Sequence, residues 1–355
     1  MVKRVYRNGV FVVAAIVMCL LQACNGNTNN TTGRQAPDVA DVKLNLQSFR
    51  FDQDLEHIDT NAVAAGLQQL HGKYPVFLNF YLDTIMGFQI IGNYADTARG
   101  IKLGLRQYLT YKDYRGLFDT VNKHYPDTKD VDAELSKGFR YMKHYYPAYQ
   151  VPTVMYITTG LANYGAFTYE SSMLGIGLDM FLGKSYPYYK SVGIPDYMGS
   201  HLSKQYIPVA AFSAIYEDAH PFNRENRTLL DMMIQKGKEQ YFLHSVLPDM
   251  ADSTLYAFSQ AQVDWCKANE ADVYNFFIRQ NMLYDKEITK VLRYVTDGPT
   301  STGMPAQSPG NVGSWLGMQI VTAYMKEHKE ITLSQLLEQK IDAQSLLEQS
   351  KYKPK

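Results

Sequence analysis

Three patterns of apolar and polar positions follow one another along the chain. The first is an unbroken apolar run: the twelve residues Val10–Leu21 (VFVVAAIVMCLL) carry no polar side chain and follow the cationic Lys3, Arg4 and Arg7. Twelve residues at 1.5 Å each rise only about 18 Å against a hydrocarbon core of about 30 Å, too short to span it. The run therefore reads as the apolar region of an export signal. The second pattern has a period of two. Lys43–Phe51 alternates through Leu44, Leu46, Phe49 and Phe51, with one slip, and predicts a half-buried strand. Val154–Ile157 is strand-like, Phe167–Tyr169 can return beside it, and Ser172–Met180 predicts a further strand. In that strand Gly175 and Gly177 leave room for close backbone approach.

The third pattern is helical and covers most of the rest. Ala62–Leu70 follows a cap at Asp59 or Thr60, and Pro75 suits the first turn of Val76–Met86. Thr128 or Asp130 can cap a helix with Val131, Leu135, Phe139 and Met142 on one side. Beyond the strands, helices are predicted over Lys204–Tyr216, Thr228–Leu243, Ser253–Ala268, Ala271–Gln280, Glu287–Val295, Val312–Glu327 and Thr332–Gln349. A Gly-, Pro- and Ser-rich loop, Asp297–Asn311, interrupts them. A small sheet, mixed or antiparallel, followed by a helical body is an α+β order, mainly α, and not the alternation of a doubly wound fold.

The N-terminal signal ends in Leu21-Gln22-Ala23-Cys24, the arrangement at which bacterial lipoproteins are cut and lipidated. Residues 1–23 are expected to be removed and Cys24 to be acylated. Each buried acyl methylene contributes about 0.8 kcal/mol, so two or three chains hold firmly to a bilayer where one does not. Residues 24–42 then form a polar, flexible tether, and residues 43–355 a single domain. The tether has no acidic run beside Cys24 of the kind some bacteria use for surface export. The cell envelope on the periplasmic side is the expected location, with inner and outer membrane both open.

Composition narrows the function. Removing Lys3, Arg4 and Arg7 from 35 basic residues leaves 32 against 35 acidic, a net charge of −3, with no basic stripe for nucleic acid. Cys19 leaves with the signal and Cys24 is acylated, so Cys266 is the one remaining thiol and is expected to be a small buried hydrophobe. The 28 tyrosines suggest a core and clefts built from amphipathic rings.

A small sheet leading into two helices is the setting of HExxH zinc peptidases, in which two histidines one turn apart bind the metal. Of the histidines at 57, 71, 124, 144, 201, 220, 244 and 328, no two stand four apart, and the segment Tyr206–Tyr216 contains none. No metal and no cofactor are expected. There is no G-x-S-x-G elbow and no phosphate-binding loop. Gly310, Gly313 and Gly317 around Trp315 read as close-packing positions, with a phosphate site at that helix N-terminus as the alternative. Asp179, Glu239, Asp264 and Glu270 stand in apolar contexts, where a pair could do acid–base work or serve as salt bridges and caps.

Several stretches resemble the gliding-motility lipoprotein GldB family of Bacteroidetes. They are Gly177–Lys184 with Tyr186–Tyr189, Leu229–Lys238 with Tyr241, Phe242, Leu247 and Pro248, Trp265-Cys266 with Asn269-Glu270 and Leu283-Tyr284, Ser308–Gly317 with Ile320, Val321, Tyr324 and Met325, and Ser350–Pro354. That family is distantly similar to predicted zinc-dependent peptidases, in which a helix reading roughly E-G-x-A-E-Y-F follows HExxH. Here Lys236–Phe242 takes its place, with Lys236 where the metal-ligand glutamate should be. The resemblance implies a peptidase-like scaffold without peptidase chemistry, with Asp179, Tyr206, Lys236 and Glu239 lining a vestigial groove. It implies an envelope component of gliding motility or its associated secretion machinery, whose partners are the bilayer and other envelope or motility proteins. A hydrolase with a metal-free or relocated site, or a lipoprotein binding glycan or peptide in a tyrosine-lined cleft, are the alternatives.

Overall fold

The structure is a computed structural model that describes residues 35–88, 90, 94, 99–162 and 165–355. The expected signal peptide and Cys24 lie outside the described residues. So does most of the tether, and its boundary moves: Val39 is buried and Ala36, Val42, Leu44 and Leu46 pack on the body. The chain is thus docked from about Ala36 onward, not from Lys43.

A four-stranded mixed sheet takes shape from strand β1 (Ser48–Arg50), β2 (Thr153–Ile157), β3 (Ala166–Tyr169) and β4 (Met173–Gly177), in the order β1-β2-β4-β3. β2 runs parallel to both β1 and β4, while β3 is an antiparallel edge strand. Alternation along β2 explains why its apolar run is continuous. Val154 and Tyr156 join Leu174 and Ile176 in one hydrophobic cluster, and Met155 and Ile157 face another. A strand buried on both faces has no polar side to show.

The second cluster is roofed by helices α1 (Phe51–Glu56), α2 (Val63–Lys73), the turn Phe77–Phe80 with the π-helical Tyr81–Ile85, and α3 (Arg99–Thr110). α4 (Lys112–His124) serves both sides, Phe118 packing in one cluster and Leu117 and Val121 in the other. The first cluster is closed by α5 (Lys129–Tyr145), α6 (Ile207–Ala219), α7 (Leu229–Val246), α8 (Gln260–Ala268), α9 (Glu270–Arg279), α10 (Val312–Glu327), α11 (Leu333–Glu338) and α12 (Ala343–Ser350). The α+β, mainly helical architecture agrees with the sequence pattern.

Local departures have physical causes. The strand expected over Lys43–Phe51 shrinks to three residues, because Phe51 begins α1 and Arg50 turns to pair with Asp52 at 2.8 Å and with the Tyr125 carbonyl. The strand over Ser172–Met180 stops at Gly177 and tightens into a 3₁₀ turn, Leu178–Met180. The helix expected over Ser253–Ala268 is two, split where Ala257 adopts φ 53° and Ser259 opens a fresh capping box. Thr332–Gln349 is likewise split, with Thr332 and Asp342 each capping its own piece. Glu287–Val295 holds one helical turn, Ile288–Val291, followed by a 3₁₀ turn, Leu292–Tyr294. Neither Asp59 nor Thr60 caps α2, whose N-cap is Ala62 without a side-chain bond. Thr128 is the N-cap of α5, but its hydroxyl turns to Asp132 instead of accepting from the helix.

The tightest helix contact is between α7 and α10. A Cβ placed on Gly317 would lie 1.9 Å from the Met233 carbonyl oxygen, and one on Gly237 would lie 2.3 Å from the Gly317 carbonyl carbon. Gly313 meets the Tyr294 carbonyl in the same way, at 2.6 Å. Backbone lies on backbone, so nothing can yield except the helix axes. Gly116, exposed in α4, has no heavy atom within 4 Å of such a Cβ. The same change should therefore have opposite signs at the two positions. Gly317→Ala is expected to destabilise the fold by about 3 kcal/mol or more. Gly116→Ala should stabilise it by roughly 0.5–1 kcal/mol. Urea unfolding of the two variants checks this, and a neutral Gly317→Ala would mean that the helices do not touch as described.

Candidate functional site

α6 enters the body with Pro208 in its first turn, where its missing N–H costs nothing. α7 starts at a full capping box between Thr228 and Asp231. The glycine contact with α10 fixes the depth of α7, and with it the two residues flanking Gly237. Lys236 and Lys238 have opposite environments. Burial alone pushes the Lys238 ammonium down to about 8. Burial acts on Lys236 too, but the charges of Glu239 and Glu217 override it and hold its pKa above the ordinary lysine value.

The Lys236 Nζ lies 2.7 Å from Glu239 Oε2 and 3.6 Å from Glu217 Oε1. Ser213, one turn before Glu217 on α6, stands near enough to Glu239 to help lower its carboxyl. Burial raises the Glu239 carboxyl, and Lys236 works against that rise. Two helices thus deliver four polar groups to one point, with an ammonium at its centre. Tyr206 stands just before α6 with its ring 4.7 Å from that of His201. Its phenol is held well above the usual range by burial and by the nearby Asp297, Glu239 and Glu217. His201 Nε2 lies 3.3 Å from Asp297, which also accepts from Asn311 at 3.2 Å. Asp297 is partly exposed, and although the desolvation it does feel works the other way, His201, Asn311 and the charge of Lys236 hold it below the ordinary carboxylate range.

Three of the four residues expected in one groove, Tyr206, Lys236 and Glu239, therefore share a neighbourhood. Asp179 is elsewhere. It is fully buried at the C-terminal ends of β2 and β4, accepting from the Thr159 N–H and hydroxyl and from the Leu161 N–H at 2.8–3.0 Å. Gly160 and Leu161 hold φ of +66° and +64°, which turns these N–H groups inward. Tyr189 donates to the Asp179 carbonyl, and Tyr81 and Tyr108 donate to Thr158 around it. Asp179 is a knot in the fold, not a groove residue.

The other carboxylates are structural as well. Asp264 accepts from Gln260 on the surface, and Glu270 accepts from Tyr352 and holds the C-terminus. Cys266 is buried and its thiol is pushed up to about 12 by burial, which makes it inert as a nucleophile. The first turn of α10 is buried and its Asn311 bonds Ser314, so no phosphate can reach it. Among the described residues no three His, Cys, Asp or Glu side chains converge as metal ligands. The sequence reading missed Ser213, Glu217, His201 and Asp297. Ser213 and Glu217 stand one turn apart, but a serine and a glutamate at that spacing carry no metal-site signature of their own.

Two cavities border this region. One of about 180 Å³ lies against Lys236, Glu239 and Glu217. The other, about 660 Å³, lies between α5, Lys204–Pro208 and the end of α7, and no tyrosine lines it. Many tyrosines serve the interior, where Tyr81, Tyr125, Tyr156 and Tyr241 are among the largest fully buried side chains, and Tyr216 lines the smaller cavity.

A family model for gliding motility protein GldB matches residues 32–354. The chain belongs to the GldB family. No curated protein and no solved structure matches it. Within this GldB fold the stretches that carried the resemblance are mostly its buried machinery. Leu229–Lys238 is the glycine-bearing half of α7, Ser308–Gly317 is the facing end of α10, and Gly177–Lys184 with Tyr189 surrounds Asp179. The family is one of gliding-motility lipoproteins, and no helix among the described residues is long and apolar enough to cross a membrane.

Two substitutions test these assignments. Burial pushes the Asp179 pKa up to about 6 from 3.8, against the opposing bonds from Leu161 and Thr159. The folded state then binds the extra proton between these values, so the contribution is complete below about pH 4 and is lost as pH rises through about 6. It amounts to about 3 kcal/mol at roughly 1.4 kcal/mol per unit. Asp179→Asn should flatten the stability profile over that window by the same amount, and parallel profiles would refute the assignment. Lys236→Met strands Glu239 without a cation and should cost about 3–5 kcal/mol, most of it regained in Lys236→Met/Glu239→Gln. Additive losses in the double variant would show that the pair is not coupled.

Proposed function

We propose that this chain is a non-catalytic, lipid-anchored envelope protein of gliding motility or its linked secretion apparatus, built on a peptidase-like scaffold whose metal position is filled by its own lysine. The observation that carries the reading is the Lys236 ammonium between Glu239 and Glu217, with Ser213 one turn away. A turn-related pair on α6 and a third group from α7 are the layout that an HExxH enzyme uses for zinc. Here the pair is Ser213 and Glu217, and Lys236 brings a positive charge in place of a ligand for one. An ammonium in this position opposes a divalent ion by direct repulsion and takes up the carboxylate that would otherwise bind it.

The same layout supports a binding role. α6 packs on β3 as well as on α7, and β3 is the antiparallel edge of the sheet. An edge strand offers unpaired backbone groups to an extended peptide, the means by which such scaffolds hold chains by strand addition. Cys24, as the acylated residue, ties this surface to the bilayer, and the docked segment from Ala36 keeps it near. From Cys24 to Ala36 the reach is at most about 40 Å at roughly 3.3–3.6 Å per residue.

One preparation tests both halves. The chain recovered from the membrane fraction should begin at an acylated Cys24 by mass spectrometry and hold zinc well below one atom per molecule by elemental analysis. One tightly held zinc per chain would overturn the scaffold reading, and an unmodified Cys24 would overturn the anchor.

A further inference from the structure

The 180 Å³ cavity beside Lys236 has a lining that the ion pair does not use up. Its walls include Phe222, Met232, Leu292 and Val295 on the apolar side and Arg224 at the exposed side. Such a volume holds about six waters at about 30 Å³ each, or one aliphatic side chain with a terminal polar group. Glu239 and Glu217 are both committed to Lys236. Arg224 forms no ion pair among the described residues, although Arg227, three positions on, lies over the Phe222 ring at 5.7 Å. The guanidinium is close enough for its charge to act on Lys236. A free, fork-shaped cation at the mouth of an apolar recess is the arrangement that accepts a carboxylate on two parallel N–H bonds.

We propose that this cavity receives the free C-terminal carboxylate of a peptide, with Arg224 on the carboxylate and the last side chain, an aliphatic one, among Phe222, Met232, Leu292 and Val295. The inference rests on the peptide-binding reading and gives it a direction: the bound segment ends in the cavity. It also gives Arg224 a role that stability alone does not explain, since an exposed, unpaired arginine contributes little to folding.

The test uses the folded chain with methyl-labelled methionine, the Met232 signal being assigned from Met232→Leu, and three probes: N-acetyl-L-leucine, N-acetyl-L-leucinamide and free L-leucine. N-acetyl-L-leucine should shift the Met232 methyl and bind at least fivefold more tightly than the amide, and Arg224→Gln should erase that difference. Equal response to acid and amide, or none to either, overturns the proposal. Tighter binding of free leucine than of its acetyl derivative overturns the peptide end in favour of an amino acid. The parent reading is judged separately, by amide-exchange protection of Ala166–Tyr169 in the presence of extended peptides. Protection that is indifferent to C-terminal amidation sinks only the carboxylate site, and absence of protection sinks the strand-addition reading itself.

Discussion

The backbone contact between α7 and α10 at Gly237 and Gly317 is the constraint on which the rest of the structure depends. With the Met233 carbonyl less than 2 Å from where a Gly317 Cβ would stand, the helices meet at a distance no other residue allows. That contact leaves α7 one rotation about its axis, with Gly237 toward α10 and Lys236 and Glu239 turned toward α6. It also draws in the start of α10, and with it Asn311 and Asp297 at the two ends of the Gly- and Pro-rich loop. The loop is closed by the same device, since Gly310 lies against the backbone of Gly298 and Ser301 donates to the Pro309 carbonyl. The charges around Lys236 are arranged by sterics before electrostatics acts on them.

The molecule buries carboxylates by two different routes. Asp179 is satisfied by backbone N–H groups and a hydroxyl, with no cation, so its charge stays marginal and burial governs its titration. Glu239 is satisfied by an ammonium. A buried ion pair adds little net stability compared with an apolar pair of the same shape, because both charges lose water. Its retention fits a role in fixing geometry or charge at a surface more than a role in holding the fold together. Asp179 lies among tyrosines that seal the end of the sheet, and its removal would loosen the turn at Thr159–Leu161.

The pattern of periods carried most of the fold. β2 was legible because a two-sided burial leaves a continuous apolar run, and α5 because Val131, Leu135, Phe139 and Met142 fall on one face. Thr228 was legible as a boundary because its capping box with Asp231 is local chemistry. The long predicted helices over Ser253–Ala268 and Thr332–Gln349 failed for the converse reason. Their apolar spacing continues through the break, and only the left-handed Ala257 and the new caps at Ser259 and Asp342 interrupt it. Of the site, Lys236 was legible through the family resemblance and Glu239 through its apolar context. Glu217 and Ser213 were not, because nothing in a serine and a glutamate one turn apart marks them without the helix opposite.

The sequence by itself determined the order and type of the elements, the continuous apolar strands, the close-packing glycines and the family, since these follow from residue chemistry within one or two turns. Only the tertiary structure decided which charges meet. Asp179 stands inside one of the family's recognisable stretches yet is held apart by the turn that wraps it, while Tyr206, Glu217, Lys236 and Asp297 are spread over about ninety residues and converge. Convergence of this kind depends on how far two helix axes can approach, and a chain of side-chain identities does not contain that distance until the helices are packed.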